Sequence, residues 1–234
     1  MFPYLASFHA KGEYALVQRK TWESLRFTAM IVLPATVAIV VYRVPIANNL
    51  TNAYVAQQGA TSFALLAISS IPLGLSQVIG TALNSIGYQR LELYISGTIV
   101  GAMVTSTVLV YLLFPVLASV AAGVLVGSIA ALALNSYFME HLLKVRIRPI
   151  PILRITAAAG IAFLMMAELN KFVDVTKWTL GPLLILGFAV YALVMAGIGE
   201  LTSSDVQLVT GAVGLPARLG TLLGRLCWRA EPPP

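Results

Sequence analysis

The 234-residue sequence is short of charge. Lysine, arginine, aspartate and glutamate make up 10% of it, against roughly 25% in an ordinary soluble domain. A water-soluble fold needs a polar coat that these residues are too few to supply, which argues against a soluble globular enzyme. A disordered chain needs low hydrophobicity, yet 59% of the residues are hydrophobic. The single cysteine, Cys227, leaves no partner for an intrachain disulfide. The two histidines, His9 and His141, stand far apart, and no HExxH, CxxC, GxSxG or Walker A pattern occurs. Metal sites and covalent nucleophiles need clusters that this chain lacks, so no catalytic residue, metal or cofactor is expected and the protein reads as a non-enzyme. The net charge of +6 comes without zinc-finger spacing or an aromatic-basic RNA motif, so nucleic acid is not an expected partner. The N-terminus, Met1-Phe2-Pro3-Tyr4, lacks the basic start of a signal peptide.

Long apolar runs are abundant, and the mean hydropathy is +0.87. At ~20 apolar residues per bilayer crossing, the chain has room for about six helices. The runs predict spans at Phe27–Ala47, Phe63–Asn84, Leu93–Phe114, Leu117–Phe138, Ile152–Ala167 and Thr179–Ile198, the fifth being the shortest. Pro115-Val116 reads as a tight turn between the third and fourth, and Pro149 and Pro151 break the connection to the fifth. The expected fold is an all-α integral membrane bundle. Residues 1–26 form a juxtamembrane linker, 27–200 the bundle and 201–234 a tail.

Charge placement agrees with six spans. Lys11, Arg19, Lys20, Arg26, Arg90, Lys144, Arg146, Arg148, Arg154, Arg218, Arg225 and Arg229 fall on one side, and only Arg43, Lys171 and Lys177 on the other. Basic residues concentrate in cytoplasmic loops, so both termini are expected in the cytoplasm of a cell-membrane protein. Tyr14, Val17, Trp22 and Leu25 roughly share a face, which predicts an interfacial helix before the first span. Thr202-Ser203-Ser204-Asp205 has the spacing of a helix start, Gly214-Leu215-Pro216 breaks that helix, and a basic-apolar stretch follows from Ala217 to Trp228.

The acids Glu92, Glu140, Glu168 and Glu200 fall at span ends, so no ion-coupling carboxylate is expected inside the membrane. The second span is the most polar. Its Ser70, Gly74, Gln77, Thr81 and Asn84 form one helical stripe, which suits either a wet, substrate-binding cavity or close helix packing. Pro34 and Pro72 are expected to kink or open the first two spans. Gly97 and Gly101 in the third span, and Ser119, Gly123, Gly127, Ala131 and Asn135 in the fourth, predict helix–helix seams inside the bundle. Arg26, Arg43 and Arg90 lie near helix ends. A guanidinium there either holds a pyrophosphate or reaches to the interface and fixes topology.

Several segments resemble polysaccharide-biosynthesis flippases of the multidrug/oligosaccharidyl-lipid/polysaccharide exporter superfamily. Phe2-Pro3-Tyr4-Leu5-Ala6-Ser7, followed by Ala10-Lys11-Gly12-Glu13, is similar to the segment that closes the family's sixth span. Leu33-Pro34, Pro45-Ile46, the run Ala82-Leu83-Asn84-Ser85-Ile86-Gly87-Tyr88-Gln89-Arg90 and the proline-led run Pro115 to Ala122 resemble the second half in order. Asn84-Ser85 and Asn48-Asn49 depart from its pattern. Family members have two lobes totalling about twelve to fourteen spans, and the resemblance covers one. It implies a membrane transporter lobe that flips lipid-linked oligosaccharide or polysaccharide precursors by alternating access. Its partners would be membrane lipid, the lipid-linked sugar and an N-terminal lobe or a second copy. On that picture Ser70, Gln77, Thr81 and Asn84 line the cavity, while Arg26 and Arg90 meet the pyrophosphate. A lobe of an ion-coupled multidrug antiporter, a non-transporting membrane subunit and a gene fragment are the rival readings.

Overall fold

The computed structural model describes residues 2–50, 53–113, 118–143, 149–172 and 175–199. They form helices and short turns only, eight helices in all: α1 (Phe2–Ala10), α2 (Tyr14–Val41), α3 (Arg43–Leu50), α4 (Ala53–Ser85), α5 (Gln89–Leu113), α6 (Ala118–Leu143), α7 (Pro149–Phe172) and α8 (Lys177–Ile198). Six of them, α2 and α4 to α8, are long and apolar enough to cross a membrane. In a bilayer every backbone polar group must be satisfied within its own segment, which an unbroken helix achieves. The protein is an all-α, multi-pass membrane protein. The Pro115-Val116 turn and the tail from Glu200 onward, with its expected helices and Cys227, lie outside the described residues.

Two compact units divide the chain, Met1–Arg148 and Pro149–Pro234. Within the first, α4 is central, packed on α2 along one flank and on α6 along another, and α6 in turn carries α5. In the second, α7 and α8 pair, with Gly187 of α8 lying against the Met166 side chain of α7.

Several boundaries differ from the hydropathy reading. The stretch expected to form a separate interfacial helix is the start of α2, which continues without a break into the first span. Val17, Thr21 and Leu25 are buried there, whereas Tyr14 is 52% exposed and sets its ring edge-on to His9, with 5.4 Å between centroids. The first span does not continue to Ala47. Pro45 has no N–H for the carbonyl of Val41, so α2 ends at Val41 and a short α3 starts beyond Tyr42. The fifth span is longer than its apolar run. α7 extends to Phe172, and its charged end is held by a Lys171 Nζ–Glu168 Oε1 pair at 2.6 Å. The sixth begins on a reciprocal cap in which Thr176 Oγ1 accepts from the N–H of Thr179 and Thr179 Oγ1 from that of Thr176.

Neither Pro34 nor Pro72 interrupts its helix. Pro72 leaves the carbonyl of Ile68 without its usual donor. Close by, hydroxyls from both helices converge on α4, where Thr36 Oγ1 and Ser70 Oγ each donate to the Ala67 carbonyl, at 3.2 and 2.6 Å. α4 ends in a turn whose Gly87 has φ +98°. The N–H of Tyr88 returns to the carbonyl of Leu83 at 3.1 Å, the long bond of a helix-ending glycine turn, and the chain reverses into α5.

The two glycine seams fare differently. On α6, a Cβ at Gly123 would strike the backbone of Thr107, and one at Gly127 the side chain of Met103, so α5 closes on α6 at both. The Ser106 hydroxyl adds a bond to the Gly123 carbonyl at 3.1 Å. On α5, a Cβ at Gly97 or Gly101 meets nothing within 4 Å. The expectation that Gly97 and Gly101 pack inside the bundle is therefore corrected. Helical geometry gives the reason: Met103 and Thr107 face α6, and Gly101 lies about 160° and about 120° around the helix from them at 100° per residue. Gly97→Ala and Gly101→Ala are expected to raise stability by up to about 1 kcal/mol each through helix propensity, measurable by unfolding in mixed micelles. A loss of stability at either position would mean that a neighbour covers it.

Candidate functional site

The polar residues of α4 separate onto two faces. Ser62, Ser69 and Ser76 recur every seven residues and are buried, as are Ser128 and Asn135 on α6. Asn135 Nδ2 fixes the register by donating to Ser76 Oγ at 2.7 Å and to its carbonyl at 3.3 Å. A seven-residue repeat of small residues lets two helices keep one seam in contact along their length. The four-residue stripe of α6 includes Asn135, but four-residue spacing does not reveal these serines. A heptad count would have found them.

The second face is the expected stripe, and the structure divides its residues. Gly74 packs on α2, where a Cβ would lie 3.5 Å from Val32 and 3.7 Å from Thr28. Ser70 is exposed, but its hydroxyl is bound to the Ala67 carbonyl and lies 3.1 Å from Thr36 Oγ1. Gln77, Thr81 and Asn84 are exposed. The Thr81 hydroxyl donates back to the carbonyl of Gln77 at 2.7 Å, which leaves it only acceptor capacity. The carboxamides of Gln77 and Asn84 have no hydrogen-bond partner among the described residues. They stand two turns apart on one face, about 10 Å by helical rise. The structure thus divides the stripe into a packed part at Ser70 and Gly74 and an exposed polar part from Gln77 to Asn84.

The charged candidates do not share one end. Arg90 is exposed in the first turn of α5, just past the turn that follows Asn84. Arg26 is half-buried on α2 and already engaged in an interaction of its own. Arg43, at the other end of α2, donates from Nη1 to the Val40 carbonyl at 3.0 Å. That contact suits the structural role. Between Ala53 and Ser85, α4 carries no aspartate, glutamate, lysine, arginine or histidine. Its open face can exchange hydrogen bonds with a neutral polar ligand and offers no charge to an ionic one.

A fold made of apolar spans and an open stripe of carboxamides defines the class, a multi-pass membrane protein with one hydrophilic helix face. No protein-family model matches this chain, and comparisons with curated proteins and with solved structures return no match.

Proposed function

We propose that this protein forms one wall of a transporter that flips lipid-linked oligosaccharide or polysaccharide precursors across the cell membrane, with both termini in the cytoplasm. The observation that carries this reading is the pair of free carboxamides, Gln77 and Asn84, on the exposed face of a spanning helix without charge. An unpartnered amide facing hydrocarbon costs several kcal/mol at most and about 1 kcal/mol at least. Facing a wet cavity it regains both donor and acceptor partners, and sugar hydroxyls supply the same. Arg90, exposed in the first turn of α5, would meet the pyrophosphate as the lipid carrier enters. The opposing wall comes from a separate chain or a second copy. No step requires covalent chemistry.

The test is reconstitution into liposomes with a fluorescent polyprenyl-pyrophosphate oligosaccharide. The chain should bind the lipid-linked sugar, and translocation should appear only when the opposing wall is supplied. Translocation by a chain shown to be monomeric would overturn the two-wall scheme. Failure to bind lipid-linked sugar in any oligomeric state would overturn the substrate, and ion-driven export of cationic dyes would then mark an antiporter lobe.

A further inference from the structure

Glu92 falls at a span end, as expected of the acids, but its side chain does not face outward. It stands in the first turn of α5, where a carboxylate is ordinarily turned to water beside the free N–H groups of the helix start. Instead the side chain crosses to the neighbouring helix. Its carboxyl rests on the backbone of α4 at Gly80, in the space a Cβ would occupy. Gly80 is buried and lies five residues before the end of α4, about 7 Å along the helix. The carboxyl's Oε2 is buried with no hydrogen-bond partner.

Among the described residues, no positive group is ion-paired with this carboxyl; on α1, which also packs on α4, His9 turns its ring to Tyr14. α4 has no acidic, basic or histidine side chain. On α5 and the turn before it, Arg90 and Tyr94 are exposed and Tyr88 is half-buried. At the end of α6, Glu140 and His141 are exposed, and the His141 ring lies 4.3 Å from that of Tyr137. On α2, Glu23 is paired with Arg19 and Lys20 at 2.9 and 2.7 Å, and Arg26 is half-buried. Among the described residues, none of these is ion-paired with Glu92. Glu92 as a whole is half-buried, but a carboxylate oxygen buried without a donor or counter-charge is costly, and a small cation bound there would offset that cost.

We propose that the Glu92 carboxyl, seated on Gly80, is a binding site for one small monovalent cation, H⁺ or Na⁺. When occupied, the site holds the start of α5 against α4. When empty, the carboxylate swings out to water past Gln77 and Asn84, which stand three and four residues from Gly80 on the open face. The site rests on the α4–α5 contact and holds whether or not the substrate is a lipid-linked sugar.

The full chain in phospholipid nanodiscs, with choline chloride as background salt, provides the test. Its melting temperature should rise by several degrees in one of two arms, acidification without Na⁺ or replacement of choline by Na⁺ at fixed pH. The responding arm identifies the cation. E92Q, neutral at every pH, should lose that response, and so should Gly80→Ala, whose Cβ displaces the carboxyl. A hydrophobic carbodiimide, read by peptide mapping of the wild-type chain, should modify Glu92, with protection by Na⁺ in the Na⁺ case. In the H⁺ case its rate should fall about tenfold per pH unit once the acid ionises. A wild-type chain that responds in neither arm, an E92Q chain that responds as the wild type does, or a Glu92 left unmodified in the mapping would each overturn the site.

Discussion

Gly123→Ala should destabilise the Met1–Arg148 unit by about 2–3 kcal/mol, although alanine is the better helix former. The added Cβ would sit 2.6 Å from Thr107 Cα and 2.7 Å from Thr107 N. Those are backbone atoms of a facing helix and no side-chain rotation moves them. α5 must shift away from α6, which loosens the bond from Ser106 to the Gly123 carbonyl and the contact at Gly127 one turn on. Gly127→Ala should cost less, because the atom it meets first is Met103 Cγ, which a χ1 rotation can move, with the Met103 Cβ at 3.0 Å and Cα at 3.1 Å. Methionine yields more readily than backbone. Unfolding in mixed micelles gives the ranking, Gly123→Ala below Gly127→Ala below wild type. A Gly123→Ala chain as stable as the wild type would show that α5 and α6 do not approach this closely.

The second large effect concerns the open face. The double variant Gln77→Leu/Asn84→Leu should reduce translocation of lipid-linked sugar by about 5- to 150-fold. Two lost hydrogen bonds of about 0.5–1.5 kcal/mol each correspond to that range. Stability should hold or rise, since leucine on an exposed membrane helix face leaves no unpaired amide. Ser70→Ala and Thr81→Val should matter far less to transport, because those hydroxyls already donate to backbone carbonyls of their own helix. Parallel flux and unfolding measurements separate the two roles. Unchanged flux in the double variant would remove the stripe from the transport path, and a large stability loss would return it to packing.

The stripe illustrates how far one helix can be read by itself. Spacing placed Ser70, Gly74, Gln77, Thr81 and Asn84 on a common side, and that is where they lie. Which of them would be covered depends on α2, whose Thr28, Val32 and Thr36 reach Gly74 and Ser70 but not the two carboxamides. The four-residue stripe of α6 shows the same limit. Each step of four turns the helix by about 40°, so the line from Gly123 to Asn135 begins against α5 and ends against α4. A single seam read from spacing is in fact shared between two neighbours.

The sequence by itself determined the membrane class, the six spanning segments and the absence of charge along α4. Each follows from solvent physics, because hydrocarbon admits only long apolar segments whose backbone satisfies itself. It also marked, through Pro45, a constraint that hydropathy alone ignored, since a missing N–H ends α2 before its apolar run is finished. Only the tertiary structure decided which glycines are contacts. Gly97-Gly101 and Gly123-Gly127 have the same local spacing, yet only the second pair meets a facing helix, because contact requires a complementary surface at the right height and angle on another element. The same reason governs Glu92. Its position in the sequence fixes its Cα near the end of a span, while the carboxyl lies against α4 because Gly80, on that different helix, leaves room for it.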